Sequence, residues 1–170
     1  MNHKRWNLLP PLSREHPLIA SGLPLLIAQL LNNRGITAPE HVEPFFKADK
    51  RLSCDPMLLP GMDKAAGRVY RAILGAEKIA IYGDFDADGI TATALLIQGL
   101  SHLTPNIVPY IPHRINEGHG LKIAALENLK KDGVNLVITV DCGITGALSV
   151  KRAQRMGLDV IITDHHTPPA

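Results

Sequence analysis

Ile79-Ala80-Ile81-Tyr82-Gly83-Asp84-Phe85-Asp86-Ala87-Asp88-Gly89 decides the fold. A short apolar run breaks off into a glycine-bounded loop of alternating aspartates. The same arrangement occurs twice more. Leu136-Val137-Ile138-Thr139-Val140 leads into Asp141-Cys142-Gly143, and Val160-Ile161-Ile162-Thr163 leads into Asp164-His165-His166. Each run is rich in β-branched residues and is followed at once by polar ones, the pattern of a buried parallel strand. In an open parallel sheet, functional groups gather beyond the carboxyl ends of the strands. Five carboxylates and two imidazoles gathered there would repel one another unless a cation neutralised them. Oxygen ligands with one or two imidazoles suit Mn²⁺ or Mg²⁺. The chemistry such a set supports is metal-assisted phosphoester hydrolysis.

Between the runs the sequence reads as helices. We expect strands at 78–82, 106–111, 136–140 and 160–163, with helices at about 90–103, 122–131 and 145–156. Strands separated by helices of this length imply right-handed βαβ units, hence an α/β fold with a parallel sheet and helices on both faces. A small helical N-terminal region, residues 1–60, precedes the domain of residues 61–170. In that region a helix is expected from Pro17 to Asn32. Thr37-Ala38-Pro39-Glu40 has the form of a capping box opening a second short helix. Arg51 to Pro60 reads as an extended connection, and a further helix is expected over 62–74.

Composition narrows the function. The 170 residues are 45% hydrophobic, enough for a packed core, while aromatics make up only 4%. Platforms for stacking bases are therefore scarce. A formal net charge of +2 neither demands nor excludes nucleic acid. Cys54 and Cys142 have no metal-ligand spacing and do not suggest a disulfide framework, which fits a reducing cytoplasm. No run approaches the ~18 apolar residues of a membrane span. The basic start (Lys4, Arg5, Arg14) before the apolar Leu23–Leu31 has the outline of a signal peptide. Pro24 and Gln29 interrupt it, and no cleavage site follows.

The acidic loop admits other readings. Asp84-x-Asp86-x-Asp88-Gly89 opens like an EF-hand calcium loop. Its twelfth position is Leu95, where a bidentate Glu is required, and a strand precedes it instead of a helix. A haloacid-dehalogenase-type phosphatase also uses a strand-end Asp-x-Asp, but Ile90 stands where that chemistry has Thr or Val. A solvated turn is the plain alternative, disfavoured by the mutual repulsion of three aspartates. Gly83 and Gly89 would let the backbone pass close to a metal or phosphate. The amide end of a helix beginning near Ile90 would favour anions there. In the loop 111–120, Arg114 could grip a phosphate through two donors.

Asp-Phe-Asp-Ala-Asp-Gly at 84–89, Thr-Val-Asp-Cys-Gly-Ile at 139–144 and Thr-Asp-His-His at 163–166 resemble the DHH phosphoesterase superfamily. With Ile-Pro-His-Arg at 111–114 and Asp-His-His-Thr-Pro at 164–168, the chain looks like the amino-terminal part of the bacterial RecJ family. The likeness is dense from about Leu59 to Pro168. It implies a two-metal exonuclease that releases 5′-mononucleotides from single-stranded DNA in the 5′→3′ direction, in recombination and repair. Asp86 and Asp141 would then bind one Mn²⁺ or Mg²⁺, with Asp84 close by. Asp88, Asp141 and His165 would bind the second. His166 would assist the leaving group or hold the scissile phosphate, and Arg114 and His119 would contact phosphate.

Three departures accompany the likeness. Tyr82 stands where many members have a histidine, and His119 where the pattern has a tyrosine. The family also continues past the Asp-His-His motif to a further metal-binding Asp and a second domain. The expectation is therefore a truncated chain, with its final strand incompletely covered and its second metal weakly held. It would either act as a nuclease on single-stranded DNA or be a non-catalytic remnant or half that needs a second chain.

Overall fold

The computed structural model describes residues 7–47 and 54–168. The chain divides into two units, the first ending at Leu58 and the second starting at Leu59.

The first unit is helical. The run expected as one helix is two: α1, Pro17–Ala20, and α2, Leu25–Asn32. Gly22 adopts a positive φ of 92° directly after α1, and Pro24, at the N-cap of α2, supplies no amide to continue a ladder. Leu18, Ala28 and Leu31 form the buried centre of this unit. The capping box does not form. Ala38 occupies the cap of a 3₁₀ turn, Pro39–His41, with no side-chain hydrogen bond, and the turn runs into α3, Val42–Phe46. The expected extended connection falls partly outside the described residues, as do Lys4 and Arg5; within it, Pro56–Leu58 is a 3₁₀ turn.

The second unit opens with α4, Met62–Leu74, and then alternates: β1 Lys78–Gly83, α5 Ala87–Ser101, β2 Ile107–Tyr110, α6 Ile123–Lys131, β3 Val134–Val140, α7 Ala147–Arg155 and β4 Asp159–Thr163. All pairings are parallel, in the order β2-β1-β3-β4. Alternation along β1 sends Ile79 and Ile81 to one face and Ala80 and Tyr82 to the other. The first face is covered by Ala72 of α4 and by Leu96, Ile97 and Leu100 of α5. The second is covered by Leu126 and Leu129 of α6 and Ala153 of α7. Helices thus lie on both faces, as the alternation implied. Arg68 of α4 fastens this layer to the sheet, with both Glu77 and Asp159 at 2.6 Å.

β4 lies at the sheet edge, and Val160, Ile161 and Ile162 are only partly buried. Among the described residues no helix is long and apolar enough to cross a membrane.

Candidate metal and phosphate site

Strand register builds the site. Gly83 of β1 pairs with Val140 of β3, and Val140 with Thr163 of β4. The next residue on each strand is Asp84, Asp141 and Asp164, so three aspartates leave the sheet in one row. Strand order reverses between β1 and β3, the place where open α/β sheets present a crevice to ligands.

The acidic loop is shorter than expected, because α5 begins at Ala87 instead of Ile90. Asp86 is its N-cap, and its Oδ1 accepts from the Gly89 amide at 3.0 Å. Asp88 therefore sits in the first turn, and one exposed amide of the helix end is already satisfied by the protein. Gly83 and Gly89 let the chain pack closely on itself. A Cβ on Gly83 would stand 2.7 Å from the Gly89 carbonyl oxygen, and one on Gly89 would collide with the Asp84 backbone.

Asp141 is the centre of the cluster. Its φ is +59°, a conformation that Asp tolerates better than most residues. Its side chain is 7% exposed, with Oδ1 2.9 Å from Nε2 of His165. Burial raises the Asp141 pKa, and the charge of Asp86 raises it further, against the lowering pull of His165. Asp86 moves the other way, held down chiefly by the Gly89 amide. Each carboxylate acts on the other, which favours a proton on Asp141 and the ionised form at Asp86. Ligand atoms of Asp141, His165 and His166 lie within 4.8 Å of one another. Asp88, Asp141, Asp164 and His165 also line one cavity of about 540 Å³, with Leu95 and Leu96 as its apolar wall.

Asp164 is built differently. Burial opposes its ionisation, but the amides of Ile144 and His166 and the His166 ring outweigh that and lower its pKa. Its Oδ2 accepts from Ile144 at 2.9 Å, and its Oδ1 lies 2.6 Å from Nδ1 of His166. The pKa of His166 is raised in turn by this hydrogen bond and by the Asp164 charge.

Asp84, at the end of β1, has its own partners. Its Oδ1 accepts from the Phe85 amide, and its Oδ2 is 2.9 Å from Nδ1 of His119. His119, the residue expected at phosphate, lies against this carboxylate. Arg114 does not reach the aspartates. Its guanidinium lies over the Phe85 ring, 5.5 Å from the centroid, and the other partner of Phe85 is the His119 ring at 4.1 Å.

Tyr82 is fully buried away from the cluster. It stacks on Tyr110 at 4.9 Å, donates to the Gly120 carbonyl and accepts from the Lys122 amide. Burial pushes its hydroxyl pKa well up. Tyr110 in turn donates to Glu117 at 2.5 Å, and Glu117 also accepts from the His113 amide at 2.6 Å. Phe85, Tyr110 and Glu117 were not singled out from the sequence. A Phe among alternating aspartates, in a chain with only three Phe, was the available signal for the first. Nothing local marked the other two. Cys142 is buried against the Tyr82 carbonyl, with its thiol pKa pushed up to about 12 by that burial, so it is a packing residue here.

Comparison with known proteins agrees with this geometry. Residues 78–170 match the model of the DHH family, N-terminal domain. The single-stranded-DNA-specific exonuclease RecJ of Bacillus subtilis is 43% identical over 143 residues, covering 84% of this chain and 18% of that protein. RecJ of Thermus thermophilus is 36% identical over 170 residues, covering 96% of this chain and 24% of that one. The crystal structure of exonuclease RecJ bound to manganese superposes with a TM-score of 0.63 at 37% identity, covering 69% of this chain and 30% of that one. The chain thus spans about a fifth of the length of these curated relatives. The strand-end aspartates, the Asp-His-His run and the match over more than half of its length lead to one conclusion: the chain belongs to the DHH family.

Proposed function

We propose that this chain carries the metal-dependent phosphodiester-hydrolysing centre of a RecJ-like exonuclease acting on single-stranded DNA in the cytoplasm, in recombination and repair. The observation that supports it most is the placement of Asp141, His165 and His166 together at the sheet's switch point, with Asp86 close enough to act on Asp141, in a chain similar to RecJ. The donor set fits divalent Mn²⁺ or Mg²⁺: hard carboxylate oxygens with an imidazole, one carboxylate pressed against another. In this reading Asp86 and Asp141, with Asp84 beside them, hold one ion, and Asp88, Asp141 and His165 hold the second. Bound ions would supply an activated water and stabilise charge on the phosphate oxygens.

The remaining roles follow from the chain's own contacts. Asp164 fixes the His166 ring and raises its pKa, which favours the protonated imidazole that would meet a departing oxygen or hold a phosphate oxygen. Arg114, spread over Phe85, presents its remaining donors to a phosphate. The domain reading, residues 1–60 as an N-terminal region before the DHH domain of 61–170, belongs to the same proposal. So does a second polypeptide that completes the site, which restoration of activity on mixing would support.

The test is Mn²⁺-dependent nucleotide release from 5′-labelled single-stranded DNA, run beside the double variant Asp86→Ala/Asp141→Ala. Release by the parent, lost in the double variant, is the expected result. Equal release by both would refute the site.

A further inference from the structure

A single strand of DNA offers a protein its phosphates and the open faces of its bases. The proposed metal centre accounts for the first. The second calls for flat apolar or cationic surfaces, and the second unit has few. Of its aromatics, Tyr82 and Tyr110 pack in the core and Tyr70 lies out on α4. Phe85 alone stands at the site, between Asp84 and Asp86, and Asp86 is close enough to act on Asp141.

Two planar side chains meet the half-buried Phe85 ring. The Arg114 guanidinium lies 5.5 Å from its centroid, and the His119 imidazole lies 4.1 Å away at 46°. Arg114 is exposed, and the His119 side chain is 68% exposed. Nδ1 of His119 is tied to Asp84, which fixes the plane of the ring. The loop that carries both residues is anchored within by Glu117, which accepts from Tyr110 and the His113 amide. It is anchored at its end by the Tyr82 hydroxyl, which donates to the Gly120 carbonyl. Ordering exposed side chains costs conformational entropy and buries little apolar surface, so packing alone does not account for the arrangement.

We propose that Arg114, Phe85 and His119 form a stacking platform that holds one nucleobase of single-stranded DNA by its face, beside the metal centre. Arg114 and His119 supply the planes that the base meets, and Phe85 is the positioning residue that keeps them in place. The in-plane donors of Arg114 stay free for a phosphate while its face is stacked. Every base has such a face, so the platform grips a strand without reading its sequence. The proposal rests on the single-stranded-DNA reading above.

Fluorescence anisotropy of the full chain with a labelled short oligothymidylate measures binding apart from hydrolysis. Ca²⁺ replaces Mn²⁺, and the strand is checked to be intact afterwards. A single abasic residue is then moved along the strand. At one position it should weaken binding at least about fivefold, the low end for one stacked base. Phe85→Leu, which keeps an apolar side chain, should bind the intact strand weakly and lose the penalty at that position. His119→Ala, altered outside the core, should lose it too, and circular dichroism checks that both variants are folded. If no abasic position costs fivefold, or if both folded variants keep the penalty, the strand is held by its phosphates and the platform fails, while the metal-centre reading stands. Folded wild type that binds no single-stranded DNA would overturn the platform and the single-stranded-DNA reading together.

Discussion

Gly89 and Gly99 lie in the same helix, and alanine at the two should act in opposite directions. Alanine favours a helix interior over glycine by about 1 kcal/mol. At Gly99 a Cβ would meet nothing within 4 Å, so Gly99→Ala should stabilise by about 0.5–1 kcal/mol. At Gly89 the same Cβ would stand 2.7 Å from the Asp84 carbonyl carbon, and nearer still to that residue's nitrogen and oxygen. Ordinary contact begins at 3.4 Å, so the helix end must retreat by at least 0.7 Å from the carbon alone. The obstructing atoms are backbone and cannot rotate aside. Retreat would disturb the bond from Thr93 Oγ1 to the Gly89 carbonyl and the Asp86 cap. Overpacking of this kind costs about 3 kcal/mol, which exceeds the helix gain and leaves a net loss of about 2 kcal/mol. Urea unfolding of the three proteins measures both changes, and Mn²⁺ titration should show Gly89→Ala weakened while Gly99→Ala matches wild type. Equal stabilisation at the two positions would refute the claim that Gly89 marks a forced close approach.

Other outcomes follow from the charged groups. Asp141→Asn should raise the unfolding midpoint in the absence of metal and abolish the rise that Mn²⁺ gives wild type. The raised pKa means that the folded state holds the Asp141 proton more tightly than the unfolded chain, so ionisation costs stability as pH rises through that interval. An unchanged midpoint in differential scanning fluorimetry would contradict this. Glu117 has its pKa lowered chiefly by the His113 amide and then by Tyr110, so its contribution is complete above the unfolded carboxylate pKa and is lost as pH falls through the lower folded value. Hydrogen exchange at the His113 amide should accelerate over that acid range, and Glu117→Gln should show the faster rate already at neutral pH. Arg68→Met should destabilise the second unit by about 1–3 kcal/mol in urea, because Glu77 and Asp159 both lose a charged donor; a loss under about 0.5 kcal/mol would show that water replaces it.

The sheet was legible because β1, β3 and β4 are apolar runs that stop abruptly at aspartate, and such runs have few alternatives to a buried parallel strand. The three strand-end aspartates were legible for the same reason. Register then decided what their order in the chain could not, that Asp84, Asp141 and Asp164 leave the sheet side by side. The broken helix after Ala20 was misread because apolar periodicity runs through Gly22 and Pro24 while the backbone does not. Phe85, Tyr110 and Glu117 were missed because their roles depend on how the 111–120 loop folds back, and side-chain pairs seven or more residues apart leave no periodic trace. The contact of His119 with Asp84, 35 residues earlier, is of the same kind.

The row of aspartates is not uniform, and the difference lies in what the protein itself supplies to each. The Asp164 side chain, 2% exposed, receives two backbone amides and an imidazole, enough to hold its charge inside the fold. Asp141, covered to a similar degree, receives one imidazole and faces a second carboxylate. A carboxylate supplied with amides is a fastening: here it ties the β3–α7 loop to the Asp-His-His turn. A carboxylate held in a left-handed backbone, short of donors and beside a like charge, costs the fold free energy that packing alone does not return. That cost is recovered if a cation completes the set. The distinction separates Asp164 from Asp141 although both follow strands of the same kind, and at the proposed metal centre Asp141 is the residue through which metal binding and folding stability would be coupled.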